Sequence, residues 1–213
     1  MKVLKISSKN LKEIVKETIK VIKRGGIVIC PTDTVYGLIA DAENKTAVRK
    51  IFKIKKRLYK KPLPVFVKDL KMARSLADIN KKQEKIFKKF WPGKLTAVLK
   101  AKSFKFPEGI VSKDKKIGLR MPKYKLLNFL LGKLNFPLAE TSANISGKKA
   151  STNIKEVLRQ FKNGKHQPDL VLDAGNLKKS LPSTVIDMEN LKILRKGQIS
   201  KREILKIAHE VKL

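Results

Sequence analysis

With 213 residues, 42% of them hydrophobic, and no Pro/Ser-rich linker or internal repeat, the chain is read as a single domain over residues 1–213. Lysine and arginine total 51 against 18 acidic residues, a formal net charge of +33 spread along the chain; this attracts polyanions such as nucleic acid, nucleotide phosphates or anionic lipid, and equally suits the solvated lysine-rich surface of some hyperthermophile proteins. One cysteine excludes a disulfide framework or zinc-ligand spacing, and with no secretory signal and no apolar run near ~20 residues the expectation is a soluble, cytoplasmic protein with no membrane partner.

Asn10 followed by Glu13 has the form of a capping box, and Ile14, Val15, Thr18, Val21 and Ile22 share one face of a helix that Gly25-Gly26 ends. Ile27 to Cys30 is an apolar run stopped by Pro31, the pattern of a buried strand. Thr32, Asp33, Thr34 and Tyr36 follow, where the carboxyl end of a strand opens a crevice for small ligands. From Asn44 to Lys55, Ala47, Val48, Ile51 and Phe52 recur at helical spacing, and the basic run Lys53 to Lys61 reads as an exposed turn. Pro62 to Val67 is predicted as a short strand, Asp69 to Leu76 and Gln83 to Trp91 as helices, and Leu95 to Leu99 and Ile117 to Met121 as strands. Ala101 to Lys116 is lysine-rich and weakly patterned, a candidate mobile lid. Leu126 to Leu131 belongs to a helix, and Phe136 to Ala139 to a strand running into a polar cluster, Glu140 to Gly147. Thr152 and Asn153 offer N-caps to a helix containing Val157, Leu158 and Phe161. Strands at Leu170 to Leu172, Pro182 to Ile186 and Leu191 to Leu194 precede a closing helix from Lys201 to Val211. Irregular alternation with consecutive strands predicts an α/β fold on a mixed sheet flanked by helices.

GxxxxGK[ST], GxGxxG and HExxH are all absent, and neither His166 nor His209 has an acidic or cysteine partner near it in sequence. Strand ends instead deliver Thr32, Ser142 with Asn144, and Ser183 with Thr184, while Lys55, Arg57, Lys61, Arg120 and Arg195 supply positive charge. Small donors with cations and no evident nucleophile suit phosphates and a carboxylate. Nucleotidyl transfer fits this set: an incoming anion attacks an α-phosphate, the cations stabilise the charge that develops, and positioning does most of the rest. Mg²⁺ is expected to arrive with ATP and to help pyrophosphate leave, with no dedicated protein cage. The competing class is a non-catalytic RNA-binding protein; an aromatic content of 6% and the lack of an RNP-like run argue against sequence-specific reading of RNA.

PTDTVYGL (Pro31 to Leu38), the KxR of Lys55 and Arg57, KPL (Lys61 to Leu63), WPGKLT (Trp91 to Thr96), LRMP (Leu119 to Pro122), TSANISG (Thr141 to Gly147), PSTV (Pro182 to Val185) and LRKG (Leu194 to Gly197) together resemble the YrdC family. The resemblance implies a single-domain YrdC-like fold, a twisted mixed sheet with a concave basic cleft. It also implies L-threonylcarbamoyladenylate synthase activity, in which L-threonine, bicarbonate and ATP give threonylcarbamoyl-AMP and pyrophosphate. The product would serve N6-threonylcarbamoyladenosine modification beside the tRNA anticodon through a downstream threonylcarbamoyl transferase; direct contact with tRNA or double-stranded RNA is left open. By motif position, Thr32, Arg120, Ser142 and Ser183 would hold L-threonine, with Arg120 on its carboxylate. Lys55, Lys61, Lys116, Asn144, Thr152 and Arg195 would contact ATP or the adenylate, and Lys55, Arg57, Ser142 and Asn144 form the catalytic KxR and SxN set. Threonine carbamate would be the nucleophile, so none is required from the protein. Phe66 stands where many relatives place a histidine near threonine, which implies altered threonine contacts rather than lost activity. Longer relatives carry a second carboxyl-terminal domain, whose contacts are expected to be absent or replaced here. An enzyme of related fold acting on carbamoyl phosphate is the remaining alternative, usually within larger chains.

Overall fold

Alternate residues of the apolar runs face opposite sides of one sheet, and each side meets its own set of helices. The computed structural model describes residues 1–102 and 105–209. Its strands are β1 (Lys2–Lys5), β2 (Val28–Cys30), β3 (Gly37–Asp41), β4 (Val65–Phe66), β5 (Leu95–Lys100), β6 (Lys116–Arg120), β7 (Leu138–Ser142), β8 (Leu170–Asp173), β9 (Thr184–Asp187) and β10 (Lys192–Arg195). The helices are α1 (Leu11–Lys23), α2 (Lys45–Lys55), α3 (Leu70–Leu76), α4 (Lys81–Phe90), α5 (Lys125–Leu134), α6 (Ile154–Phe161) and α7 (Lys201–His209). The strands make a 10-stranded mixed sheet in the order β1-β8-β2-β3-β7-β4-β6-β5-β9-β10.

Ile27, Ile29, Leu38, Val65, Ala97, Leu119, Ala139 and Val171 point into the larger core, where they meet Ile51 and Phe52 of α2, Ile86 and Phe87 of α4, and Val157 and Phe161 of α6. Their neighbours Val28, Cys30, Ile39, Phe66, Leu138, Leu170 and Leu172 point the other way, onto Ile14 and Ile22 of α1 and the leucines of α5. This second layer stops at Phe66 and Leu138. Further along the same face, Pro64, Glu140, Ser142, Arg120 and Val185 line an open depression rather than packing beneath a helix. The uncovered part of the sheet is thus the floor of the site.

Of the two cap candidates before α6, Asn153 rather than Thr152 accepts from backbone N–H groups of the first turn; Asn44 and Asp69, not singled out in the sequence, cap α2 and α3 in the same way. Asn10 does not cap α1; its Oδ1 accepts from Ser7 N at 2.9 Å and its Nδ2 donates to Lys5 O at 2.9 Å, tying β1 to the helix that follows. The candidate lid is anchored where it is described: Leu63 N donates to Gly109 O at 2.7 Å, Lys102 N donates to Leu76 O at 2.9 Å, and Ile110 is fully buried. Residues 103–104 of that stretch, and 210–211 of the last predicted helix, lie outside the described residues. Strands β1 and β3 were not predicted, and β7 runs through Glu140 and Thr141 to Ser142 rather than ending at Ala139.

Candidate active site

Pro31 ends β2, and the loop after it folds around Thr32, whose Oγ1 donates to Val35 O at 2.7 Å and accepts from Thr34 N at 3.0 Å. At the end of β7, Ser142 Oγ donates to Asn144 Oδ1 at 2.5 Å. Asn144 Nδ2 in turn donates to Ile145 O at 3.0 Å and Lys148 O at 2.6 Å, so the turn is held by its own amide. Just before β9, Ser183 Oγ lies 2.8 Å from Thr96 Oγ1 and accepts from Arg195 Nη2 at 2.9 Å. Gly197 allows this approach, because a Cβ there would fall 2.4 Å from Pro182 O and Thr184 N.

The depression encloses about 230 Å³ and is lined by Thr32, Arg57, Arg120, Glu140, Ser142, Ser183 and Arg195, among others. Six of the residues singled out in the sequence therefore meet in one place: Thr32, Arg57, Arg120, Ser142, Ser183 and Arg195. Lys55 and Asn144 stand just behind it. The Lys55 ammonium donates to Ser142 O at 2.5 Å, Asn144 O at 2.7 Å and Asn144 Oδ1 at 3.2 Å, and the residue is 1% exposed, not part of an exposed turn. Arg57 fits that description better; half-buried, it braces the turn by donating from Nε to Lys61 O at 2.9 Å and from Nη2 to Pro62 O at 3.2 Å. Lys61 itself is exposed and does not line the pocket. Thr152 lines an adjoining groove of about 740 Å³ that shares Val35 and Ala150 with the pocket.

Lys116 is not brought to the site. It begins β6 whereas Arg120 ends it, a separation of about 13 Å at ~3.3 Å per residue. Its ammonium is paired with Asp187 at 2.8 Å and Glu189 at 2.6 Å. Those carboxylates also raise its pKa.

Charge in the pocket is mixed, which the sequence reading did not anticipate. Arg120 Nη2 donates to Asp33 Oδ1 at 2.5 Å, Nε donates to Gly93 O at 3.1 Å, and Nη1 lies 3.4 Å from Thr34 Oγ1. The guanidinium also sits 5.5 Å above the ring of Phe66, which is fully buried. Asp33 Oδ2 is buried without a partner. Glu140 is 8% exposed on the same face of β7 as Ser142, and burial pushes its carboxyl above the ordinary range despite Arg120 and Arg195 nearby. Burial likewise lowers Lys55 to about 7, with Arg57 adding to the effect and Glu140 opposing it. The alternation Leu138, Glu140, Ser142 marks Glu140 as sharing a face with a site serine, a signal the shorter strand assignment had hidden.

Among the described residues, no group of three or more His, Cys, Asp or Glu side chains is placed to hold a metal ion, and no helix is long and apolar enough to cross a membrane.

Comparison with known proteins adds relatives to this geometry. The family model Sua5_yciO_yrdC, described as "Telomere recombination", matches residues 20–197. A Methanocaldococcus jannaschii protein named "Putative threonylcarbamoyl-AMP synthase" is 40% identical over 205 residues, covering 93% of this chain and 93% of the relative. The threonylcarbamoyl-AMP synthase of Pyrococcus abyssi is 34% identical over 195 residues, covering 90% of this chain but 56% of the relative, so this chain spans about half of that protein. The crystal structure of P. abyssi Sua5 complexed with L-threonine superposes with a TM-score of 0.86 at 32% identity, over 97% of this chain and 60% of that one.

Proposed function

From the chain's membership of the Sua5_yciO_yrdC family we infer that it is a threonylcarbamoyl-AMP synthase, a nucleotidyltransferase acting in tRNA threonylcarbamoyladenosine modification. The observation that carries this reading is the convergence of Thr32, Ser142 and Ser183 with Arg57, Arg120 and Arg195 around one small pocket. Its volume of about 230 Å³ is below the ~300–1,000 Å³ typical of drug-sized ligands and suits an amino acid better than a nucleotide. The adjoining groove past Val35 and Ala150, with Thr152 on its wall, is open enough for a nucleotide's adenosine.

In the proposed reaction L-threonine and bicarbonate form a carbamate, whose oxygen attacks the α-phosphorus of ATP and displaces pyrophosphate. Mg²⁺ would be supplied with ATP and would neutralise charge on its phosphates; among the described residues no cluster of His, Cys, Asp or Glu is placed to hold it. Arg57 and Arg195, each held by backbone carbonyls, present their remaining N–H groups to phosphate oxygens, and Lys61 is near enough in sequence to join them. Thr32, Ser142 and Ser183 position threonine, with Arg120 toward its carboxylate. Lys55 and Asn144 act one step back, fixing the turn that carries Ser142. A downstream transferase would pass the threonylcarbamoyl group to tRNA.

The test is pyrophosphate release from MgATP, measured with both L-threonine and bicarbonate and with each omitted. Release that requires both supports the reading; release that ignores either one, or none at all, contradicts it.

A further inference from the structure

A pocket that binds only phosphates and a carboxylate has no use for a buried acid, yet Glu140 is one of its walls. Among the described residues no hydrogen bond or ion pair engages its carboxylate. Unlike Asp33 Oδ2, its oxygens are not shut off from the cavity. The groups that act on it electrostatically come from every side: Lys55 of α2 and Arg57 just after it, Arg120 of β6, Arg195 of β10, and Asp33 of the loop after β2. Each of the three arginines is oriented by backbone carbonyls or Asp33, so the cations surround Glu140 without bonding to it.

A site with several fixed cations and one free carboxylate is complementary to a zwitterion. The substrate carboxylate is repelled by Glu140 and drawn to the arginines, and an ammonium group is sorted the opposite way. Resting on the synthase reading above, we propose that Glu140 is the receptor for the α-ammonium of the amino-acid substrate and the first acceptor of its proton. One ammonium N–H bond breaks as an O–H bond forms on Glu140. The freed nitrogen pair makes the N–C bond to bicarbonate, whose C–OH bond breaks. Glu140 returns its proton to the departing hydroxide, which leaves as water, and a further nitrogen proton passes to solvent to give the carbamate. A carboxyl whose proton affinity burial has raised is suited to such a relay.

Calorimetric titration of the intact protein with L-threonine and with (R)-3-hydroxybutyrate, the same skeleton without the ammonium, tests the receptor role. The wild-type protein should prefer threonine by about tenfold or more, the scale of a charge-assisted hydrogen bond. In Glu140→Gln, which keeps the side chain's shape, threonine affinity should fall by about tenfold or more while that for 3-hydroxybutyrate holds or rises. The rate of adenylate formation at saturating threonine should fall as well, with partial recovery in Glu140→Asp. Equal wild-type affinity for the two compounds, unchanged threonine affinity in Glu140→Gln, or a parallel loss of both ligands overturns the receptor role, and an unchanged saturated rate overturns the proton transfer. A wild-type protein that makes the adenylate while Glu140→Gln matches it defeats this inference alone. A wild-type protein that neither binds threonine nor makes the adenylate defeats the synthase reading beneath it.

Discussion

Replacing Lys55 by methionine separates the stem of this side chain from its charge. Methionine fills the same buried channel, so the loss is confined to the polar end, where Ser142 O, Asn144 O and Asn144 Oδ1 lose a donor. Asn144 Oδ1 still accepts from Ser142 Oγ and Ser142 O still accepts from Asn144 N at 2.9 Å, which leaves the Asn144 carbonyl unserved. With one buried acceptor left unmade, Lys55→Met should cost about 1–3 kcal/mol. A kilocalorie moves the Tm of a domain of this size by roughly 2–4 °C, so the melting temperature should fall by about 2–12 °C. Thermal unfolding followed by circular dichroism measures this, with Lys61→Ala as the exposed control that should leave Tm unchanged. Adenylate formation by the folded variant should drop at least ~10-fold, because the turn carrying Ser142 loses its brace. A Tm for Lys55→Met within about 2 °C of the wild type would mean that the ammonium does not hold the turn.

Titration of Lys55 gives a pH signature. Burial holds it near 7 against an ordinary 10.5, so between those values the unfolded chain binds a proton that the folded chain does not. Stability of the wild type should therefore rise with pH relative to Lys55→Met, by up to about 1.4 kcal/mol per unit, and urea midpoints at pH 7 and 9.5 read the difference; a constant or shrinking gap contradicts it. Arg120→Ala strands Asp33 as an unpaired buried carboxylate and should cost about 3–5 kcal/mol, and adding Asp33→Asn should recover a large part in the same denaturation assay. Arg57→Ala should lower the rate of pyrophosphate release by about 100-fold while shifting stability by less than ~1 kcal/mol, since this guanidinium is half-buried and braces only a surface turn. Serine should replace threonine with kcat/KM lowered about 10- to 200-fold, the worth of one methyl group in a pocket, measured by competition.

The physics of the sequence made some of this legible and hid the rest. Prolines at the end of one strand and the start of another, each followed by a small hydroxyl, located Thr32 and Ser183, because a proline interrupts the ladder and leaves polar groups free at a strand's terminus. The helix N-cap at Asn153 was readable from its residue type followed by an apolar period, whereas those at Asn44 and Asp69 were not singled out. Lys55 was misread because a basic run looks solvated as a whole, yet it lies four residues after Ile51 and seven after Val48, on the buried face of α2. Lys116 was assigned by motif position alone, although the strand predicted from Ile117 to Met121 already set it about four extended residues from Arg120, at the far end of β6. Strand β3 lay inside the segment chosen for its polar loop, and its pairing with β7 is a long-range contact that no local pattern reveals. Glu140 escaped notice for the same reason, since its role depends on which strand face the helices leave bare.

The synthase reading is tested most directly by following the carbon of bicarbonate. With ¹³C-bicarbonate, L-threonine and MgATP, a briefly quenched reaction should contain threonylcarbamoyl-AMP heavier by ~1 mass unit than the product from unlabelled bicarbonate, together with an equal amount of pyrophosphate. Pyrophosphate without a labelled adenylate, or no consumption of ATP in a protein that still binds duplex RNA with a steep salt dependence, would contradict it.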